Sequence, residues 1–428
     1  MMELLRCRKF IAHPITHKTM LRAGLISILA LFTSPLFAAT AQMLTMDQAL
    51  ETAFANNPDL AAAQWETGIA QGVRQQAGLI PNPEVSWEAE DTRRNSRTTT
   101  VMINQPIELG GKRGARIEVA SRAQDAAGIE LERKRNVLRA DVIQAFYSSS
   151  TAQQRLLLSR QSLELAERGL RVAQGRIKSG KSSPVEGTRA EVQLSEVRLE
   201  LRRAERDEAS AYQRLAQVMG APLPAFVSVG DPGRSMPTVP DSSLLLNRIG
   251  ETAELRLAKL QIDQREASLG LEKAQRIPDL TVSIGSQYDE RERERVNVVG
   301  LSMPIPLFNR NQGNVLAAAR RTDQARDLRN ASELRLRTEI QTTLDQWMTA
   351  NTEVASFNQT ILPAAKSAVD TATRGFEMGK FNFLDVLDAQ RTLISARTQY
   401  IQAIAEATDA WVRIERIFGD VALLTRTP

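Results

Sequence analysis

The sequence predicts a mainly α-helical fold with a small β part, in which one unit of long helices and short strands occurs twice. The first observation is a proline-free stretch from Gly111 to Gly180 with apolar residues at heptad spacing: Leu156, Leu163, Leu170 and Ile177. The second is a set of motifs that recur 195 to 199 residues later. A helix of about 70 residues is roughly 100 Å long, so it must pack lengthwise against similar helices.

The recurring motifs indicate an internal duplication of the chain. The matching pairs are Asp59-Leu60 with Glu254-Leu255, Pro83-Glu84-Val85 with Pro278-Asp279-Leu280, Gln105-Pro106-Ile107 with Met303-Pro304-Ile305, Gly180-Lys181 with Gly379-Lys380, and Met219-Gly220 with Phe418-Gly419. Chance similarity of helical composition would not preserve this order and spacing. We therefore expect a leader at 1–41, a first repeat at 42–220, a proline-rich linker at 221–243, a second repeat at 244–419 and a short tail at 420–428.

The first repeat is predicted to contain four helices and one β-hairpin. The helices are expected at 45–56, 58–79, 111–180 and 184–220, and the strands at 84–91 and 98–107, where Val85, Trp87 and Ala89 alternate with polar residues. The two helices on either side of the long one have a summed length close to its own. Stacked end to end, they would form a second rod of equal length.

The second repeat is predicted to follow the same order. Its strands are expected at 280–288 and 296–303, joined by a charged loop at 289–295, and its long helix at 307–379, kinked but not ended by Pro363. Four strands cannot close a barrel, because the smallest membrane barrels need about eight. Other copies of the chain must therefore complete the sheet.

Residues 1–41 are predicted to be a secretory signal peptide. Lys18 and Arg22 form a basic n-region, residues 23–32 form an apolar h-region, and Ala39-Thr40-Ala41 precedes the expected cut before Gln42. Met20 is an alternative start that gives a leader of ordinary length. A membrane anchor is the other interpretation of this segment, but its apolar run is too short to span a bilayer.

Loss of this leader changes the chemistry that the chain can perform. Cys7, His13 and His17 are all of the cysteine and histidine in the sequence. Without them the mature chain has no Cys/His metal site, no cysteine nucleophile, no disulfide and no Ser-His-Asp arrangement. We therefore expect no enzyme, no cofactor and no metal site of its own. The leader also carries a net charge of +4 out of the formal +5, so nucleic-acid binding is not expected.

Three motifs closely resemble TolC-type outer-membrane efflux proteins: QPIELGGKR at 105–113, PIPLFNR at 304–310 and FLDVLDAQ at 383–390. The resemblance covers residues 42–419. Within this family, the motif ELGGKR at 108–113 and the strand PEVSWEAE at 83–90 are most similar to the cobalt-zinc-cadmium efflux branch.

The resemblance implies a long-helix coiled-coil barrel in the periplasm and four strands per chain that complete a trimeric twelve-stranded outer-membrane β-barrel. It also implies the following partners: a homotrimer, a periplasmic adaptor of the membrane fusion protein class, an inner-membrane RND-type pump, and outer-membrane lipid. The expected function is conduction of divalent heavy-metal cations across the periplasm and the outer membrane. Export of drugs or small molecules, type I secretion, and a periplasmic coiled-coil scaffold are the alternatives.

The resemblance places the channel entrance and the adaptor docking site at two helical turns. The residues of these turns are Gly180, Lys181 and Ser182 in the first repeat, and Gly379, Lys380 and Phe381 in the second. Asp385, Asp388 and Glu186 match acidic residues that line the periplasmic mouth in the family, and in a trimer they would form rings of like charge. The simpler interpretation is that they complement the dipoles of their helices. Phe376 and Phe381 stand where polar gating partners are expected.

Overall fold

The computed structural model describes residues 43–91, 93, 95–230 and 238–420. The predicted leader, with its alternative start at Met20, and all but the first residue of the predicted tail lie outside these described residues. Within the described ranges, the longest apolar windows of the helices are too short or too charged to cross a lipid bilayer.

The elements follow the duplicated order that the sequence predicts. The first repeat contains β1 (Met43–Leu44), α1 (Met46–Asn56), α2 (Pro58–Ala77), β2 (Glu84–Glu90), β3 (Thr98–Ile107), α3 (Lys112–Lys178) and α4 (Pro184–Val218). After β4 (Ser228–Val229), the second contains α5 (Ser242–Asn247), α6 (Ala253–Ala274), β5 (Leu280–Asp289), β6 (Glu294–Ser302), α7 (Gln312–Ser356), α8 (Leu362–Glu377) and α9 (Phe383–Phe418).

Helices α2 and α4 of the first repeat stack end to end beside α3. At their junction the side-chain amide of Asn57 donates a hydrogen bond to the carbonyl of Val218 at 3.0 Å. Asn57 also caps α2, because its side-chain oxygen accepts from the amide of Leu60 at 3.0 Å. Gly220 adopts a φ of +80° beside Asn56, so a residue without a side chain closes the junction. This is the second rod that the helix lengths predicted.

The second long helix differs from its prediction in two details. It begins at Gln312 after Asn311, whose φ is +57°, and not near residue 307. Residues 303–311 form the passage from strand to helix, and Pro304 and Pro306 disfavour the helical conformation of the residues before them, Met303 and Ile305. Further along, a π-helical turn at Phe357–Ile361 precedes Pro363. Such a turn relieves the clash between the proline ring and the preceding carbonyls, so the helical path continues into α8.

The four longer strands form one antiparallel sheet in the order β2-β3-β5-β6. β5 and β6 extend further than predicted, so their charged loop shortens to residues 290–293. One transverse row of the sheet joins Val85, Ile103, Ile284 and Val299, and each of these side chains is more than half exposed. The adjacent row on the other face contains Ser86, Met102, Gly285 and Val298. The face that carries Val85 and Val299 is therefore an uncovered apolar belt.

The segment predicted as an irregular linker contains one short strand, β4. Ser228 and Val229 pair in parallel with Met43 and Leu44, and the amide of Gly230 donates to the Leu44 carbonyl at 2.8 Å. The cross-repeat connection is therefore tied to the start of the first repeat.

The main core lies where α1, α3, α7 and α9 meet near the middle of the helical body. Trp347 and Phe146 are its largest fully buried side chains, and Tyr147 meets Trp411 edge to face at 5.5 Å between ring centres. Toward the turns the buried clusters are smaller and contain many alanines: Ala173, Ala190, Ala365, Ala372 and Ala396 are all buried there. Small side chains allow close contact between the helices, as in a coiled coil.

Candidate functional site

The first predicted turn joins α3 to α4 through a glycine with positive φ. Gly180 has a φ of +70°, its amide donates to the Ile177 carbonyl at 3.0 Å, and the amide of Lys181 donates to the Arg176 carbonyl at 2.8 Å. This pair of backbone hydrogen bonds is the Schellman motif that ends many helices. The hydroxyl of Ser183 then accepts from the amide of Val185 at 3.3 Å and starts α4.

The second predicted turn repeats this geometry between α8 and α9. Gly379 has a φ of +74°, its amide donates to the Phe376 carbonyl at 3.0 Å, and the amide of Lys380 donates to the Gly375 carbonyl at 2.8 Å. The amide of Phe381 shares the Gly375 carbonyl at 3.2 Å. Both turns are therefore short and fixed by backbone bonds, and both lysines are exposed.

The three predicted acidic residues lie in different environments. Asp385 belongs to a capping box, in which its carboxylate accepts from the amide of Asn382 at 2.9 Å. Asp388 is exposed and borders an open groove of about 600 Å³ between α4 and α9, with Val185 and Leu384. Glu186 is half-buried, and its Oε2 has no hydrogen-bond partner among the described residues. The interpretation that these acidic residues stabilise the starts of their helices therefore applies most directly to Asp385.

Both turns rest on one small apolar cluster that contains residues of four helices. Its buried members are Ala173 of α3, Ala190 of α4, Ala372 and Phe376 of α8, and Val386 and Leu387 of α9. The two turns that lie 199 residues apart in the sequence are thus neighbours at one end of the helical body.

A contact that the sequence did not indicate joins the two turns. The guanidinium of Arg176 donates from Nε to the Ser182 hydroxyl at 3.1 Å and from Nη1 to the Phe376 carbonyl at 3.1 Å. The same guanidinium lies over the Phe376 ring, 4.5 Å from its centre. One signal in the sequence could have pointed to this residue: the position that matches Arg176 in the second repeat, 199 residues later, is Gly375.

A group of three or more histidine, cysteine or carboxylate residues that could hold a metal ion does not occur in the part of the chain that the structure describes.

Comparison with known proteins identifies the family. The sequence profile of outer membrane efflux proteins matches residues 49–221 and 247–420, one range in each half of the chain. The chain belongs to the outer membrane efflux protein family. It is 39% identical to the cobalt-zinc-cadmium resistance protein CzcC of Cupriavidus metallidurans over 88% of this chain and 90% of that one. It is 27% identical to the nickel-cobalt-cadmium resistance protein NccC of Alcaligenes xylosoxydans xylosoxydans over 70% and 69% of the two chains.

The fold is similar to that of a solved outer membrane protein. The outer membrane protein VceC of Vibrio cholerae superposes with a TM-score of 0.72 at 20% identity, over 86% of this chain and 94% of that one. The resemblance to TolC-type efflux proteins and the mainly helical duplicated fold are confirmed. Family and fold are those of outer-membrane channels and not of enzymes, and such channels work with an adaptor and an inner-membrane pump. The roles of the turn residues and the domain boundaries stay predictions.

Proposed function

We propose that this protein is the outer-membrane channel of a tripartite efflux system that conducts divalent heavy-metal cations. The observation that carries the proposal is the 39% identity, along nearly the whole length of both chains, to a cobalt-zinc-cadmium resistance protein. Selection of the metal would rest with the pump, because the mature chain is expected to lack cysteine and histidine. The role of this chain is to conduct the cations through a wide lumen.

The described sheet supports a homotrimer in the outer membrane. β2 and β6 are the two edges of a sheet with four strands, and uncovered edges favour pairing with another chain. Three copies would supply the twelve strands of a closed barrel. The exposed row of Val85, Ile103, Ile284 and Val299 would then contact lipid.

The turns support an entrance at the opposite end. Asp388 is exposed at the start of α9, and in a trimer three copies would lie around one axis. A ring of negative charges attracts cations and repels anions. We propose that Asp388, together with Asp385 and Glu186, makes the entrance cation-selective. The exposed Lys181 and Lys380 would belong to the surface that contacts the complex of a periplasmic adaptor and an RND-type pump.

Deletion of the gene followed by growth on graded zinc, cadmium and cobalt, and on a panel of drugs, tests the cargo. The proposal predicts that the deletion strain is sensitive to the metals, that the intact gene restores its tolerance, and that its tolerance to drugs is unchanged. Drug sensitivity with unchanged metal tolerance would instead support the second candidate, a channel for drugs or small molecules. A chain that is released in soluble form by osmotic shock would be a periplasmic scaffold, since a membrane-embedded sheet requires detergent for extraction.

A further inference from the structure

We infer the strand register that joins neighbouring copies: β6 of one copy pairs with β2 of the next so that Leu301 lies opposite Ala89, and residues 303–305 become part of β6 when this pairing forms. The inference rests on the proposed homotrimer and names the residues that join its copies. It concerns the two edges of the sheet and does not depend on which cargo the channel conducts.

The internal duplication determines this register. The recurring motifs align β3 with β6 at an offset of 198 residues, and β2 with β5 at an offset of 195 residues. Within one chain, Ile103 of β3 lies opposite Ile284 of β5. The residues that match these two are Leu301 of β6 and Ala89 of β2. If copies of the chain meet as its two repeats do, β6 pairs with the neighbouring β2 in the way that β3 pairs with β5.

The exposed side chains of the two edges agree with this register. The same offsets set Met303 opposite Trp87 and Ile305 opposite Val85. These four side chains and that of Leu301 are at least half exposed in the single chain. Residues two positions apart in a strand share a face, so the register unites them on the face of the apolar belt. A slip by one residue would set them against the other face of the neighbouring strand.

The end of β6 is incomplete in the single chain. β3 continues to Ile107, where β5 is its partner, whereas β6 ends at Ser302, three residues before the matching Ile305. Met303 and Ile305 each precede a proline, which favours an extended conformation. Proline is compatible with this pairing, since Pro106 lies inside β3. The neighbouring β2 therefore supplies the strand partner that completes β6.

The charges at the end of this pairing nearest the helices are also complementary. Within one chain, the Lys112 ammonium donates to the Asp279 carboxylate at 2.7 Å. The matching residues are Arg310 and Glu84, each of which keeps the sign of its counterpart and is exposed. Arg310 lies two residues before α7, whereas Lys112 begins α3, so the two pairs share a location and not an identical geometry. Pairing of the copies thus brings unlike charges to the same end of the contact.

Disulfide crosslinking of the full-length protein in mild detergent tests the register. Cys7 is the sole cysteine, so a Cys7→Ser background carries only the introduced thiols. Residues directly opposite in an antiparallel pair have Cα atoms about 4.5–5.5 Å apart, within the range of a disulfide, whereas residues displaced by two positions are about 7–8 Å apart. β2 and β6 of one chain are the two edges of a four-stranded sheet, about 14 Å apart. A disulfide between them therefore joins two copies.

We expect Ala89→Cys with Leu301→Cys to form covalent dimers and trimers on a non-reducing gel. The controls keep Ala89→Cys and move the second thiol by two positions, to Val299→Cys or to Met303→Cys. All three partner positions are at least half exposed, so the controls differ in register and not in access to the oxidant. The matched pair should give about tenfold more crosslinked product than either control, because only its thiols lie at disulfide distance.

Val85→Cys with Ile305→Cys tests the completion of β6 and should crosslink as well. Failure of this pair where Ala89→Cys with Leu301→Cys succeeds would overturn the completion of the strand. More product from a displaced control, or none from any pair in variants that are trimeric under reducing conditions, would overturn the register. A wild-type protein that is monomeric by light scattering would refute the homotrimer and the register together. Drug sensitivity without metal sensitivity in the deletion strain would refute the proposed cargo and leave the register standing.

Discussion

At the scale of single residues, the two aspartates at the start of α9 are expected to have separate effects. Asp385 completes the capping box of α9. Asp385→Asn keeps an acceptor oxygen but removes a negative charge near the start of the helix, so it should lower the free energy of unfolding by about 0.3–1 kcal/mol. Asp388 makes no such bond to the cap and is exposed. Asp388→Asn should therefore reduce cation selectivity, measured from reversal potentials in a salt gradient, with little change in stability. Unchanged selectivity in a folded, trimeric double variant would leave only the helix-dipole explanation.

Asp141 gives the protein a pH dependence of a defined sign. Burial raises the pKa of its carboxyl above its usual range, although Arg416, 2.6 Å away, acts in the opposite direction. At pH values between the pKa of Asp141 in the unfolded state and its pKa in the folded state, the folded protein binds more protons. The contribution of this residue to stability is therefore present at low pH and is lost as pH rises through the folded pKa.

Asp141→Asn should therefore raise the unfolding midpoint at pH 7, and the gain over wild type should disappear on acidification below the unfolded pKa of about 4. The gain should be about 1 kcal/mol or less, because the side chain is 41% exposed and solvent screens its charge. Thermal unfolding followed by circular dichroism across pH 3 to 8 measures it. A variant that is less stable than wild type at pH 7 would show that the ion pair with Arg416 outweighs burial.

At the scale of elements, the helix ends were predictable where glycine or proline marks them. The ends of α3 and α8 at Gly180 and Gly379 follow from the sequence, because glycine adopts positive φ at no steric cost. The start of α7 at Gln312 did not follow, since Asn311 takes the same left-handed conformation with a less specific signal. The π turn before Pro363 is a response of a well-packed helix to its proline, and packing is not visible in a single sequence.

The junction of α2 and α4 provides an element-scale prediction. Gly220→Ala would place a Cβ 2.4 Å from the Asn56 carbonyl oxygen at a residue with a φ of +80°. We expect it to lower the free energy of unfolding by about 2 kcal/mol or more. Gly128→Ala is the control, because nothing lies within 4 Å of that site in α3. It should stabilise the helix by about 0.5–1 kcal/mol. Equal effects of the two substitutions on thermal unfolding would contradict the end-to-end stacking of the two helices.

At the scale of the whole molecule, the duplication predicts how copies meet. Leu260 of α6 borders a groove with Ile129 of α3, inside one chain. The matching residues, Trp65 of α2 and Leu328 of α7, are instead 74% and 61% exposed. Because repeated units repeat their contacts, we expect α2 of one copy to pack against α7 of the next, and three copies to close the ring.

Trp65→Glu should therefore shift the protein from trimer to monomer in mild detergent, because the new charge would be buried in that contact. Gln64→Glu adds the same charge one residue away and is the control. Light scattering coupled to size-exclusion chromatography distinguishes the two species. A wild-type protein that is a monodisperse monomer and still conducts would refute the trimer, and a Trp65→Glu protein that remains trimeric would refute this contact.

The sequence predicts this whole-molecule plan better than it predicts the candidate site. Motif spacing alone located both repeats and both turns, because backbone geometry at glycine and proline is local. The contact of Arg176 with Phe376 joins residues 200 positions apart through tertiary packing. The glycine that matches Arg176 in the second repeat marks the position as different, but it does not specify the partner. The different environments of Asp385 and Asp388 likewise depend on which side chain reaches a backbone amide.

The most direct test of the account is the current that zinc carries through the purified protein. With a zinc chloride gradient across a planar bilayer, the account predicts step currents whose reversal potential shows that zinc passes in preference to chloride, and a weaker preference in Asp388→Asn. An inserted, trimeric protein that passes no zinc, or that prefers chloride, would contradict it.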